Sequence, residues 1–285
     1  IFEKKKLEEE IYALFISDIH AGSKFFLEKN FMKFINWING VGLSDSEREK
    51  VKKIKYIFVV GDNVDGVGVY PGQESLLEIK DMAGQYKKLA EFFHMIPEDI
   101  SIIMCPGQHD SVRVPAPQPP ISEDFAEELS KMKNVYLVSS PSLIEIECRE
   151  NKSGIKVLMY HGASITDWIS VVEDLRINNA FNSPSKAVKY FLKHRHLSPM
   201  HSLNVYVPGE KEDALAIKIV PDIITTGEMH KTDIDVYNNI LIICCSCWQS
   251  TTPFEEKIGT RPDPCKVPML NLKTREIKIL DFSGE

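Results

Sequence analysis

The sequence predicts an α/β fold of two packed sheets flanked by helices. Three observations carry this expectation. Apolar runs of strand length alternate with helix-period segments over the first third of the chain. The rest is richer in strand-like runs. Five of the expected strands stop at clusters of Asp, His, Glu or amide residues, and α/β sheets hold ligands beyond the carboxyl ends of their strands.

The elements follow in order. Ile11–Ser17 is an apolar run of strand length that stops at the polar turn Asp18–Ser23. Phe31, Phe34, Ile35 and Ile38 recur at i, i+3, i+4 and i+7, which predicts an amphipathic helix over Leu27–Asn39. Gly40–Lys53 is polar and reads as a surface connection, partly helical. Tyr56–Val60 is a second buried strand, ended by Gly61. Tyr86, Leu89, Ala90 and Phe93 set a helix over Gly84–Met95, and Ser101–Met104 is a third strand stopped by Pro106-Gly107. Pro115, Pro117, Pro119 and Pro120 make Val114–Ile121 an extended, stiff loop. Further strands are expected at Val135–Val138, Leu143–Glu147, Lys156–Tyr160, Ile223–Thr226, Ile234–Tyr237, Ile240–Cys245 and Glu276–Leu280, with helices over Asp167–Leu175 and Ser185–Lys193. With no internal repeat or low-complexity tract, residues 1–285 read as one domain.

Composition narrows the function classes. At 43% hydrophobic and 26% charged residues, disorder, collagen and coiled coil are excluded for the whole chain. No apolar run nears the roughly 20 residues of a membrane helix, so no membrane partner is expected. The six cysteines form no paired C-x-x-C knuckles, which argues against a zinc ribbon. Cys244, Cys245 and Cys247 read as small buried hydrophobes in a reducing, cytoplasmic setting. The net charge of −7 argues against a broad basic surface for nucleic acid. Ile1, followed by no charged-then-apolar leader, reads as the start of an excised piece of a longer chain.

The strand-end clusters carry the chemistry. They are Asp18-Ile19-His20, Gly61-Asp62-Asn63-Val64-Asp65, Gly107-Gln108-His109-Asp110, His161-Gly162 and Gly227-Glu228-Met229-His230. Singly each is weak: Asp-x-His arises often by chance, Gly-Asp is a common turn, and a lone His is often a satisfied core residue. As an ordered set at strand ends they point to one shared site. Carboxylates and imidazoles without thiolates suit Mn²⁺, Fe²⁺ or Zn²⁺ in a two-metal site rather than a structural zinc. Two cations about 3.5–4 Å apart can share a bridging carboxylate and a hydroxide that attacks phosphorus in line.

From Asp18 to His230 this ordered set resembles the calcineurin-like metallophosphoesterase superfamily, with its D-x-H, G-D-x-x-D, G-N-H-D, lone His and G-H-x-H pattern. The resemblance implies a two-sheet sandwich. It implies that Asp18, His20, Asp62 and His230 hold one metal, with Asp62 bridging, and that Gln108, His161 and Glu228 join Asp62 at the second. It also implies that His109 sits over the scissile phosphate and that Asp110 orients His109 through its other ring nitrogen. Gln108 stands where that pattern has Asn, and Glu228 where it has the first His of G-H-x-H. Both departures fall on the second metal. They imply a weak or altered second site that favours Mn²⁺ or Mg²⁺.

The stretches between the clusters carry a narrower resemblance. Asp65–Gln73 (DGVGVYPGQ), Pro106–Pro120, Arg195-His196-Leu197 with Pro199, and Phe254–Gly259 with Pro262 and Pro264 are similar to segments of the small subunit of archaeal D-family DNA polymerases. That resemblance implies a 3′–5′ exonuclease that removes mispaired primer ends beside a large catalytic subunit, with manganese the first choice of cofactor. It implies an oligonucleotide-binding domain ahead of the phosphoesterase part, one expected to be absent from these 285 residues. Arg113 is a candidate to pin a phosphate oxygen, against a surface ion pair. Tyr70 and Phe25 are candidates to stack on a base, against packing. His194, His196 and His201 read as surface or interface residues, and Pro115–Pro120 and Ser185–Pro208 as candidate partner surfaces. Two other readings stay open: a catalytically impaired scaffold for the large subunit, and a phosphoesterase acting on phosphoproteins or nucleotides.

Overall fold

In the computed structural model, β1 (Tyr12–Ile16), β2 (Ile54–Val60) and β3 (Ser101–Cys105) run parallel and side by side, so their carboxyl ends share one edge. Residues 5, 7–148, 153–198, 206–209 and 212–284 are described. Between the three strands come α1 (Glu28–Ile38) and α2 (Asp45–Val51), then a short 3-10 turn at Gln73–Leu76 and α3 (Met82–Phe93). After β3 come α4 (Glu127–Lys131), β4 (Val135–Leu137), β5 (Ser142–Ile146), β6 (Ile155–Met159), α5 (Ile165–Val171), α6 (Glu173–Ile177) and α7 (Ser185–His194). The chain closes with β7 (Ile223–Thr226), β8 (Asp233–Tyr237), β9 (Ile240–Cys244), α8 (Pro253–Ile258), β10 (Lys266–Asn271) and β11 (Ile277–Asp281).

The expected two-sheet α/β architecture is present. One sheet has six strands in the order β11-β10-β1-β2-β3-β4, and the other has five in the order β5-β6-β7-β9-β8. β1 to β4 are parallel, while β10 and β11 are antiparallel additions at one edge. In the second sheet β6, β7 and β9 are parallel. Side chains alternate across each strand, so each sheet has two apolar faces. Ala13, Phe15, Phe58, Val60 and Ile103 of the first sheet meet Val157, Met159, Ile223, Leu241 and Ile243 of the second in one buried layer. Leu14, Ile16, Ile57 and Val59 face the other way, onto Phe31, Phe34, Tyr86 and Leu89 of α1 and α3. Leu158, Ile224 and Ile242 pack under Trp168, Val188 and Phe191 of α5 and α7.

Four local readings are corrected. The expected helix over Asp167–Leu175 starts earlier, at Ile165, and is broken at Val172, whose ψ of 109° is extended backbone between α5 and α6. β10 has no counterpart among the expected strands because Pro268 interrupts its signal. Its ladder with β1 ends at Leu14↔Met269, one residue short of the proline that lacks a donor. The short α8 is likewise additional, although Thr252 and Glu255 form a capping box with Pro253 at its first turn. The proline loop is not evenly extended: it bends at Val114, Pro115 and Pro117, and Gln118 N pins it by donating to the Ser140 carbonyl at 2.7 Å.

Phe15 and Phe58 stack at 5.1 Å between ring centroids inside the intersheet layer. Phe58→Ala removes that contact and leaves a cavity between the sheets, so it should cost about 3–5 kcal/mol of unfolding free energy. Urea unfolding followed by circular dichroism checks this; a loss below about 1 kcal/mol would contradict the packing described.

Candidate metal centre

Each motif begins within two residues of a strand end. Asp18 follows β1, Asp62 follows β2, Gly107 follows β3, His161 follows β6 and Glu228 follows β7. Backbone bonds tie these turns together. Asp18 N donates to the Gly61 carbonyl at 3.0 Å, His20 N to the Asp62 carbonyl at 3.1 Å, and Gly227 N to the His161 carbonyl at 2.8 Å. Asp18, His20, Asp62, Glu228 and His230 all adopt φ between 47° and 68°, the left-handed region. Such residues cost on the order of 1–3 kcal/mol each unless the surroundings over-determine them, though Asp and His bear it better than most. Gly107 permits a close approach: a Cβ there would lie 2.1 Å from Asp62 Oδ1.

Three donor groups form among the described residues, one of them His20, Asp65 and His109. Asp18, His20 and His230 place one ligand atom each within 4.8 Å of one another, and so do Asp18, Asp62 and His161. Glu228 Oε2 lies 3.2 Å from His161 Nε2, and Asp62 Oδ2 lies 3.3 Å from the same nitrogen. His109 N donates to Asp62 Oδ1 at 2.9 Å, and its Nε2 is 3.9 Å from Asp62 Oδ2. Asp62 therefore lies against both His161 and His109.

The imidazoles are held by one nitrogen and offer the other. His161 Nδ1 bonds the Val60 carbonyl at 2.7 Å. His20 Nδ1 meets Asp65 Oδ1 at 3.1 Å, and His230 Nδ1 meets Glu255 Oε1 at 2.9 Å. This arrangement sets the tautomer and leaves each Nε2 lone pair facing the carboxylates. Asp18 Oδ1, His20 Nε2, Gln108 Oε1 and His161 Nε2 are buried with no hydrogen-bond partner. Buried polar atoms are normally satisfied. Four orphaned atoms, all of ligand type, fit divalent cations.

The electrostatics agree. Burial pulls the His161 imidazole down, yet Asp62, Glu228 and Asp18 together hold it well above its ordinary range. For His20, burial is likewise overcome by Asp65 and Asp62. Burial pushes the Asp62 carboxyl up, but His161, His109 and His20 hold it well below the usual range. The cluster draws in positive charge wherever it can be had.

The structure corrects one expected role. Asp110 does not reach the His109 ring: the His109 Nδ1 bonds the Asp65 backbone carbonyl at 2.6 Å instead. The buried Asp110 carboxylate accepts from Gly107 N, Asn63 N, Asn63 Nδ2 and the Tyr86 hydroxyl. It braces the two motif loops against each other, and burial together with Asp62 raises its pKa to about 6. Tyr70 stands beside the site, its ring 6.4 Å from that of His109. Arg113 is exposed, and its Nε donates to the Pro117 carbonyl at 2.7 Å, so it braces the proline loop. Phe25 is half-buried, and its carbonyl accepts from Ser250 N. His194 bonds its own helix through the Tyr190 carbonyl and His196 pairs with Asp213, both apart from the cluster's bonds; His201 lies outside the described residues.

Sequence reasoning gave no role to Asp65, Asn63, Tyr86, Gln249 or Glu255. The first two sat inside a quoted motif. Glu255 sat inside the Phe254–Gly259 segment and Tyr86 on an expected helix, but only the fold brings them and Gln249 to the site.

Fold and donor set together define a two-sheet α/β protein with clustered carboxylates and imidazoles that suit divalent cations. Residues 13–234 match the family model for the B-subunits of DNA polymerases alpha and epsilon, and the chain belongs to that family. It is 38% identical over 283 residues to a DNA polymerase II small subunit of Pyrococcus abyssi, covering 99% of this chain and 44% of that one. It is 39% identical over 285 residues to the protein of the same name from Archaeoglobus fulgidus, covering 99% and 55%. The chain thus spans about half the length of the curated relatives it matches. Among solved structures, an archaeal phosphodiesterase aligns with a TM-score of 0.47 at 13% identity, covering 95% of this chain and 99% of that one. The phosphoesterase YfcE of E. coli aligns with a TM-score of 0.40 at 12% identity, covering 96% and 100%. Among the described residues, no helix is long and apolar enough to cross a membrane.

The Tyr86 hydroxyl donates to Asp110 at 2.8 Å and accepts from Ser111 N at 3.0 Å. Tyr86→Phe strips a partner from a buried carboxyl and should destabilise the fold by about 1–3 kcal/mol in chemical unfolding. An unchanged midpoint would show that Asp110 does not rely on it.

Proposed function

We propose that this chain is the phosphoesterase part of an archaeal D-family polymerase small subunit, and that it removes nucleotides from a primer 3′ end by cation-dependent hydrolysis. The observation that carries this reading is the convergence of ligand atoms from Asp18, His20, His230, Asp62 and His161, three of them (Asp18 Oδ1, His20 Nε2 and His161 Nε2) buried without a hydrogen-bond partner. The family and the names of its relatives supply the polymerase setting, with the large catalytic subunit as partner.

Asp18, His20 and His230 would hold one cation and His161, Gln108 and Glu228 the other, with Asp62 shared. Manganese is the first choice; magnesium, iron and zinc are the others. Bound there, the cations supply Lewis acidity toward a phosphodiester and a nucleophile at neutral pH. The protein's own residues do the rest. His109, fixed at Nδ1 by the Asp65 carbonyl, holds a proton at Nε2 for the departing 3′ oxygen. Tyr70, beside His109, offers a face for the terminal base.

One observation favours the scaffold reading as well. Glu228 Oε2, at 3.2 Å from His161 Nε2, neutralises that imidazole without any cation. A primer–template with a labelled, mismatched 3′ end separates the two. With Mn²⁺, the wild type should release nucleotides one at a time. Chelation should abolish release, and Asp62→Asn and His109→Ala should each slow it by at least ~10²-fold. No release with any of the four cations would overturn the nuclease reading in favour of the scaffold.

The double change Gln108→Asn with Glu228→His should raise the Mn²⁺-dependent rate if the two side chains weaken the second site. An unchanged or lower rate shows that they are functional as they stand.

A further inference from the structure

The segment from Trp248 to Glu255 lies beyond residues 13–234, where the family model matches, and contributes no ligand to the cluster. Yet it touches every member of the Asp18, His20 and His230 group, directly or through one residue. Trp248 N donates to the Asp18 carbonyl at 2.9 Å. Gln249 Nε2 donates to Asp65 Oδ1 at 3.1 Å, the same oxygen that meets His20 Nδ1. Glu255 Oε1 meets His230 Nδ1 at 2.9 Å.

Glu255 is unusual for its helix. It is 9% exposed, whereas the preceding Phe254 is 62% exposed. Its second oxygen, Oε2, accepts from Thr252 N at 2.8 Å and from Thr252 Oγ1 at 2.9 Å. One carboxylate therefore closes the capping box of α8 with one oxygen and fixes the His230 ring with the other. In an ordinary capping box the glutamate satisfies backbone donors and nothing else. Here the helix start and the ligand orientation are the same bond network.

We propose that Trp248–Glu255 is the positioning clamp of the first cation site and that Glu255 is its central residue. Glu255 acts through His230: it accepts the Nδ1 proton and so keeps the Nε2 lone pair turned toward Asp18, 3.4 Å away. Gln249 does the same for His20 at one remove, by fixing Asp65. The inference rests on the cation reading of the cluster but not on the nuclease reading.

Calorimetric titration of the full chain with Mn²⁺ tests it. Glu255→Ala should weaken one class of site by about 10–100-fold, the range for lost partners of ligating imidazoles, and leave the other class unchanged. Glu255→Gln keeps an oxygen acceptor for Nδ1–H and should recover most of that loss. Thr252→Ala, which touches Glu255 and not His230, should show a smaller loss in the same class. Melting without metal reports whether each variant folds. Affinities within twofold of wild type in both Glu255→Ala and Thr252→Ala would overturn the clamp. So would an equal loss in Glu255→Gln and Glu255→Ala. A wild type that binds no cation removes the clamp and the cation reading together. Intact binding and clamp behaviour without primer cleavage removes only the nuclease reading.

Discussion

Carboxylates held out of water need positive charge, and that requirement organises this molecule. Asp18 and Asp62 are buried at the ends of adjacent parallel strands. Among the described residues, no lysine or arginine pairs with either, nor with Glu228. Among the described residues, their ion-pair partners are imidazoles, and backbone N–H groups of His109 and Glu228 donate to Asp62 and Asp18. Removing an ion from water costs several kcal/mol even after relaxation, so such a cluster persists only when something cationic completes it. On the proposed reading, divalent cations would answer this more fully than imidazolium does, because they would also satisfy the orphaned atoms of Gln108 and His161.

The two sheets exist, from this viewpoint, to bring five strand ends to one point. Parallel pairing of β1 with β2 and of β6 with β7 brings their carboxyl ends together within each sheet, and the apolar layer between the sheets locks them in place. The turns beyond the strands then adopt left-handed backbone at five candidate ligand positions. That local cost is offset by the backbone bonds between turns and by the acceptors that fix each imidazole. The outer bracing comes from distant chain: Tyr86 from α3 and Gln118 from the proline loop support the Gly107–Asp110 turn, and Trp248–Glu255 supports the first donor group.

Much of this was legible in sequence, for definite reasons. Buried parallel strands are short and largely apolar, and a glycine or polar turn ends each one, so β1, β2, β3, β6 and β7 stand out. Polar residues at those ends stand out with them. The C-terminal elements were harder. Pro268 masks β10, and α8 is too short for a periodic signal. The acceptors behind the ligands were harder still. A ligand sits at a strand end that the sequence reveals, but its partner is chosen by tertiary contact. Asp110, three residues from Gly107, looked like the natural partner of its neighbour His109, yet the turn folds so that it braces the loop and a backbone carbonyl takes its place. The net charge of −7 is a whole-chain average. Part of it lies in the buried Asp18 and Asp62 carboxylates, which on the proposed reading would be offset by bound cations, so that the local field on a phosphate would differ from the average.

Anomalous diffraction from crystals soaked in Mn²⁺ tests the central claim most directly. Two peaks should appear about 3.5–4 Å apart. One should lie among Asp18, His20 and His230, the other beside His161, Gln108 and Glu228, with Asp62 between them. No peak within this cluster at saturating Mn²⁺ would contradict it.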